Sequence, residues 1–123
     1  MAWTLDEDRP IYAQLIDEIR MRIIAGIYAP GDKLPSVRDL ASEAAVNPNT
    51  MQKALSELER SGLVSTIRTS GRMVTEDKNM IDEMKNKLAI EQITLFFEKM
   101  QQFGFSREET AEFIQKAVKG EIS

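Results

Sequence analysis

Two helical runs in this sequence meet across a gap too short for anything but a tight turn. The first carries Leu40, Ala41 and Ala44 on one face and ends near Ala45. The second restarts at Asn47-Pro48 and places Met51, Ala54, Leu55 and Leu58 at i, i+3, i+4 and i+7. Asparagine caps a helix well, and proline suits the first turn because its missing N–H needs no partner there. Ser36, with Asp39 three residues on, caps the earlier run in a weaker form of the capping box. Helices joined by so few residues must cross, and the small alanines at the turn let them do so closely. The pattern predicts a helix-turn-helix.

The flanks fit this unit. Upstream, Ile11, Leu15, Ile16, Ile19, Ile23 and Ile24 fall on one helical stripe between Pro10 and Ala25, with Gly26 as a C-terminal cap. Ala29-Pro30-Gly31-Asp32 then reverses the chain. Downstream of Gly62, Leu63–Ile67 and Met73–Thr75 are β-rich and flank the turn residues Thr69, Ser70 and Gly71, which predicts a β-hairpin, or wing. A long helix is expected from Lys78 to Phe103. A last one follows, capped by Ser106 with Glu109 at the third position, with Ala111, Phe113, Ile114, Ala117 and Val118 facing inward. The fold class is therefore mainly α with a small β-hairpin: an N-terminal winged helix-turn-helix over residues 1–76, followed by a short two-helix tail over residues 77–123.

Composition narrows the chemistry. With 123 residues the chain has material for one compact domain and a small appendage. It has no cysteine and no histidine, which removes thiol nucleophiles, disulfides, imidazole bases and the usual zinc ligands. The carboxylates alternate with lysines and arginines at helical spacing, as on a solvated helix face. No enzyme, metal site or cofactor is expected. The acidic first ten residues and the lack of a long apolar run support neither export nor a membrane span, so a cytoplasmic protein is expected.

The net charge of −4 is unusual for a nucleic-acid binder, but its distribution matters more. Residues 1–75 carry nine basic and ten acidic side chains, net −1, whereas residues 76–123 carry seven and ten, net −3. Arg60, Arg68 and Arg72 occur in a stretch without an acid, which is where a phosphate-facing surface is sought. At the start of the third helix Asn47, Asn49, Thr50, Gln52 and Lys53 can bond base edges and phosphates, and asparagine and glutamine pair bidentately with adenine. For Asn47 a plain capping role competes with that reading. Ser36 is an N-cap first, with backbone N–H groups at a helix start that also attract phosphate.

These residues resemble the GntR family of bacterial transcriptional regulators. The resemblance runs through Pro10-Ile11-Tyr12-Ala13-Gln14-Leu15, Gly26, Pro30–Ala41, Val46–Thr50 and Ala54-Leu55 with Glu57-Leu58 and Gly62-Leu63, in that family's order and spacing, over about residues 9–75. The two-helix tail is similar to the short-tailed YtrA-type branch. The resemblance implies a dimer on a palindromic double-stranded DNA operator, with the second helix of the motif in the major groove and the wing at the minor groove. Arg38 stands at the family's arginine position. Its neighbour Asp39 is one residue away, a spacing that does not favour an intrahelical pair, so Arg38 is expected to touch DNA.

In the wing the family's arginine, glycine, variable residue and glycine read here as Arg68-Thr69-Ser70-Gly71, followed by Arg72-Met73-Val74. Arg68, Gly71 and Arg72 are expected to contact DNA, although Thr69 replaces a glycine where positive φ is wanted and Met73 an aromatic residue. The tail has more apolar residues than one stripe requires. A second copy is the expected cover, met by Ile81, Met84, Leu88, Leu95, Phe96, Met100, Phe103 and Phe113. An alternative is that Phe96, Phe97, Phe103 and Phe113 line a pocket for a hydrophobic effector. A second reading of the whole chain is a winged-helix protein-interaction module without DNA binding.

Overall fold

Local signals set the start and stop of most helices in the computed structural model, which describes residues 3–68 and 71–122. In chain order the elements are α1 (Ile11–Ile24), α2 (Val37–Ala44), α3 (Pro48–Arg60), β1 (Val64–Ile67), β2 (Gly71–Val74), α4 (Lys78–Gln102) and α5 (Arg107–Val118). Pro10 stands at the N-cap of α1. Thr69 and Ser70, and with them the expectation about the Thr69 backbone, lie outside the described residues.

The turn between α2 and α3 is a Schellman motif. Val46 N–H donates to the Ala41 carbonyl at 3.0 Å and Ala45 N–H to that of Ser42 at 3.2 Å. Ala45 holds the left-handed conformation this requires, with φ 58° and ψ 46°. An L-residue there costs about 1–2 kcal/mol, compensated by the packing of Val46 against the core.

The chain divides into two compact units, Met1–Met84 and Lys85–Ser123. In the first, Leu15, Ile19 and Ile23 of α1, Leu40 of α2, and Met51, Leu55 and Leu58 of α3 are buried together with Leu34, Leu63, Val64 and Val74. Fully burying such a side chain contributes about 1.5–3 kcal/mol. The hairpin pairs Val64 with Val74 and Thr66 with Arg72 in antiparallel register. The segment before α2 adds a third edge, where Leu34 N–H donates to Arg72 C=O and Val74 N–H to Asp32 C=O, both at 2.8 Å.

The first turns of α4, up to Met84, pack into this unit. Ile81 is a core residue at 7% exposure, and Met84 packs partly buried against the same core. Ile81, grouped above with the dimerisation residues, is therefore filled against its own chain and has no face left for a partner.

In the second unit the α5 cap forms a full capping box. Glu109 N–H donates to Ser106 Oγ at 3.1 Å, and Ser106 N–H to Glu109 Oε1 at 2.9 Å. The corner is fixed by an edge-on pair, Phe105 and Phe113, with centroids 5.2 Å apart, and by Arg107 over the Phe97 ring at 4.8 Å. The face of α5 expected to point inward does not do so: Phe113, Ile114 and Val118 are exposed, as are Ile90, Ile93, Leu95, Phe96 and Phe103. One pair of helices offers a single line of contact, and α4 carries apolar residues on several sides of its cylinder.

Candidate nucleic-acid interface

The first turns of α2 and α3 carry the polar residues singled out above, and the two helices pack against each other through their buried faces. Ser36 Oγ accepts from Asp39 N–H at 3.0 Å, which leaves the remaining N-terminal amides of α2 facing outward at an exposed cap. Asn47 caps α3: its Oδ1 accepts from Asn49 N–H at 2.7 Å, so its amide NH2 alone is left to donate elsewhere. Asn49, Gln52 and Lys53 are exposed, and Thr50 is half-buried.

Electrostatically the cations fall into two sets. Arg38 and Lys53 are exposed and, among the described residues, form no ion pair. Lys53 Nζ lies instead over the Tyr12 ring, 4.0 Å from its centroid. Arg60 pairs with Glu57 of its own helix at 3.3 Å. Arg72 is engaged within the chain. Its side chain is only 14% exposed and its Nε donates to Glu59 Oε1, which also accepts from Thr66 Oγ1 at 2.9 Å. Thr66 and Arg72 are cross-strand partners, so one carboxylate of α3 ties both strands of the wing. Arg72 thus serves to hold the wing and adds no free charge at its surface. Arg68 and Gly71, by contrast, are exposed at the strand ends beside the turn.

Tyr12 and Glu59 are the site residues that sequence reasoning did not single out. Tyr12 stands far from Lys53 in the chain, and no spacing rule links them. Glu59 was visible only as an acid next to the basic stretch.

In the tail, Leu95, Phe96, Phe103 and Phe113 are exposed, whereas Leu88 and Met100 are half-buried. Phe96 and Phe113 line separate grooves, the first with Gln92, Leu95 and Lys99, the second with Phe105, Glu109 and Lys116. The four phenylalanines named as an effector pocket are thus not gathered around either groove. No described helix is long and apolar enough to cross a membrane.

The model of the gntR family of bacterial regulatory proteins matches residues 11–74. An uncharacterized HTH-type transcriptional regulator, YhcF of Bacillus subtilis, is 42% identical over 91% of this chain and 93% of its own length. The HTH-type transcriptional repressor YtrA of the same organism is 45% identical over 68% of this chain and 65% of its own length. A solved GntR family transcriptional regulator from Listeria monocytogenes superposes with a TM-score of 0.84 at 38% identity, over 91% of this chain and 98% of that one. These relatives are regulators and not enzymes. The chain belongs to the GntR family of bacterial transcriptional regulators, with the short tail of its YtrA-type branch.

Proposed function

We propose that this chain is a sequence-specific DNA-binding repressor that acts as a homodimer on a palindromic operator. The observation that carries the proposal is the exposed start of α3, where Asn49, Gln52 and Lys53 project near a capped helix terminus, together with the exposed Arg38 of α2, all without an acidic partner among the described residues. Gln52 and Asn49 read base edges, Lys53 and Arg38 neutralise phosphates, and the N-terminal amides of α2 and α3 add further phosphate donors. Arg68 and Gly71 place the wing tip at the DNA.

The dimer follows from the tail. Leu95, Phe96 and Phe103 expose a broad apolar surface, up to 65% for Phe103, and a two-fold axis covers it with an identical copy. Two recognition helices then address half-sites about one helical turn apart, roughly 34 Å, or a multiple of it. The repressor role is taken from the similarity to YtrA. Selection of bound fragments from genomic DNA, followed by gel shift at rising salt, tests the proposal. A palindromic sequence bound with steeply salt-dependent affinity is expected; no shift at any salt points to a protein-interaction module instead.

A further inference from the structure

We infer that Tyr12 is a positioning residue for DNA binding, and that its ring, not its hydroxyl, holds Lys53 at the phosphate-facing edge of α3. The inference rests on the DNA-binding role proposed above. Lys53 Nζ sits 4.0 Å from the Tyr12 ring centroid, within the range at which a ring quadrupole attracts an ammonium. Tyr12 is half-buried in the first turn of α1, and Ile11 beside it packs against the core, so the ring is mounted on a fixed element. α1 and α3 pack against each other.

The consequence concerns entropy and geometry. A free lysine has four rotatable bonds and loses about 2 kcal/mol of rotamer freedom when a phosphate fixes it. A lysine already resting on an aromatic face has lost part of that freedom before DNA arrives. An ammonium has three N–H donors, and a ring beneath it leaves others pointing outward. Lys53 therefore keeps the ring contact and bonds a phosphate together. Because phosphate contacts carry no sequence information, the effect is the same on any duplex.

The test uses the full chain and a labelled mixed-sequence duplex at low salt, read by fluorescence anisotropy. Tyr12→Leu is expected to weaken binding about two- to fivefold, the range of an exposed cation–ring contact, while Tyr12→Phe binds as the parent does. In a Lys53→Ala background Tyr12→Leu is expected to have no further effect. Proton spectra of the free chain give a check independent of DNA: the Lys53 ε-methylene protons are expected upfield in the parent and in Tyr12→Phe, through the ring current, and at their ordinary position in Tyr12→Leu. Equal losses in Tyr12→Phe and Tyr12→Leu overturn the inference, because the hydroxyl then makes the contact. So does a Tyr12→Leu loss that persists without Lys53, or unshifted methylene protons in the parent. A parent chain that binds no duplex, with the ring-current shift present, overturns the DNA-binding reading and the positioning role with it.

Discussion

Arg22 donates to Glu43 at 2.8 Å and so ties α1 to α2, the first helix of the motif. The guanidinium is 3% exposed and is surrounded by acceptors and rings. Its Nε donates to Glu18 at 3.0 Å, its Nη1 also donates to Tyr28 Oη at 3.0 Å, and the Trp3 ring lies 4.4 Å from its central carbon. Trp3 Nε1 donates in turn to Glu43 at 3.0 Å, which brings the N-terminal arm into the same knot. Gln14 pins that arm further along, bonding Asp6 N–H at 2.6 Å and the Asp6 carbonyl at 2.7 Å. Burial opposes the Arg22 charge, but the bonds to Glu43, Tyr28 and Glu18 outweigh it and hold the pKa above its ordinary value.

The knot makes stability depend on acid. The hydrogen bond from Arg22 holds the Glu43 carboxyl below its ordinary value against a smaller opposing effect of burial, and Trp3 adds to the lowering. A group whose folded pKa is depressed stabilises the fold above its unfolded value, about 4.3 for glutamate, and that stability is lost as pH falls through the folded value. Thermal melts of the parent are expected to drop in midpoint below about pH 4.3. Glu43→Gln is expected to melt lower at neutral pH and to converge with the parent in acid. Parallel curves at all pH values contradict the assignment.

Ala45 is strained by design of the turn. At φ 58° its Cβ is disfavoured, and glycine relieves that cost while losing some backbone entropy in the unfolded chain. Ala45→Gly is expected to raise the unfolding free energy by up to about 1 kcal/mol, seen as a higher urea midpoint with an unchanged slope. A lower midpoint means that the methyl group contributes packing at the helix crossing.

The tail surface predicts an assembly defect without a folding defect. Phe96 is exposed in the single chain, so Phe96→Glu removes little from its own fold. At a two-fold contact it brings two unpaired charges into an apolar interface, where burial of each is costly. Light scattering is expected to report a dimer for the parent and a monomer for Phe96→Glu, with matching circular dichroism. A parent that is monomeric at micromolar concentration contradicts the dimer.

Much of the fold was legible because its signals are local. Ser106 with Glu109, and Asn47 with Pro48, start helices through hydrogen bonds within a few residues, and the structure shows those bonds. Buried faces were legible from helical periodicity, as with Leu40, Ala41 and Ala44 of α2. What was not legible depends on contacts between distant segments. Ile81 carries the same apolar side chain whether it meets its own core or a partner, and only packing decides. Arg72 read as a free charge because its partner Glu59 belongs to another element. The left-handed Ala45 had no signature, since glycine or asparagine is the residue that marks such a position.

The central claim is that the first turns of α2 and α3 face DNA, and a salt titration of operator affinity for the parent, Arg38→Ala and Gln52→Ala tests it most directly. Both side chains are exposed, so folding is expected to survive each change. Arg38→Ala is expected to weaken binding to every sequence and to reduce the salt slope by about one, as loss of one phosphate contact does. Gln52→Ala is expected to leave the slope alone, to cost about 1–3 kcal/mol on the operator and to relax preference at one base pair per half-site. Unchanged affinity and slope in both variants, with circular dichroism intact, contradicts the account.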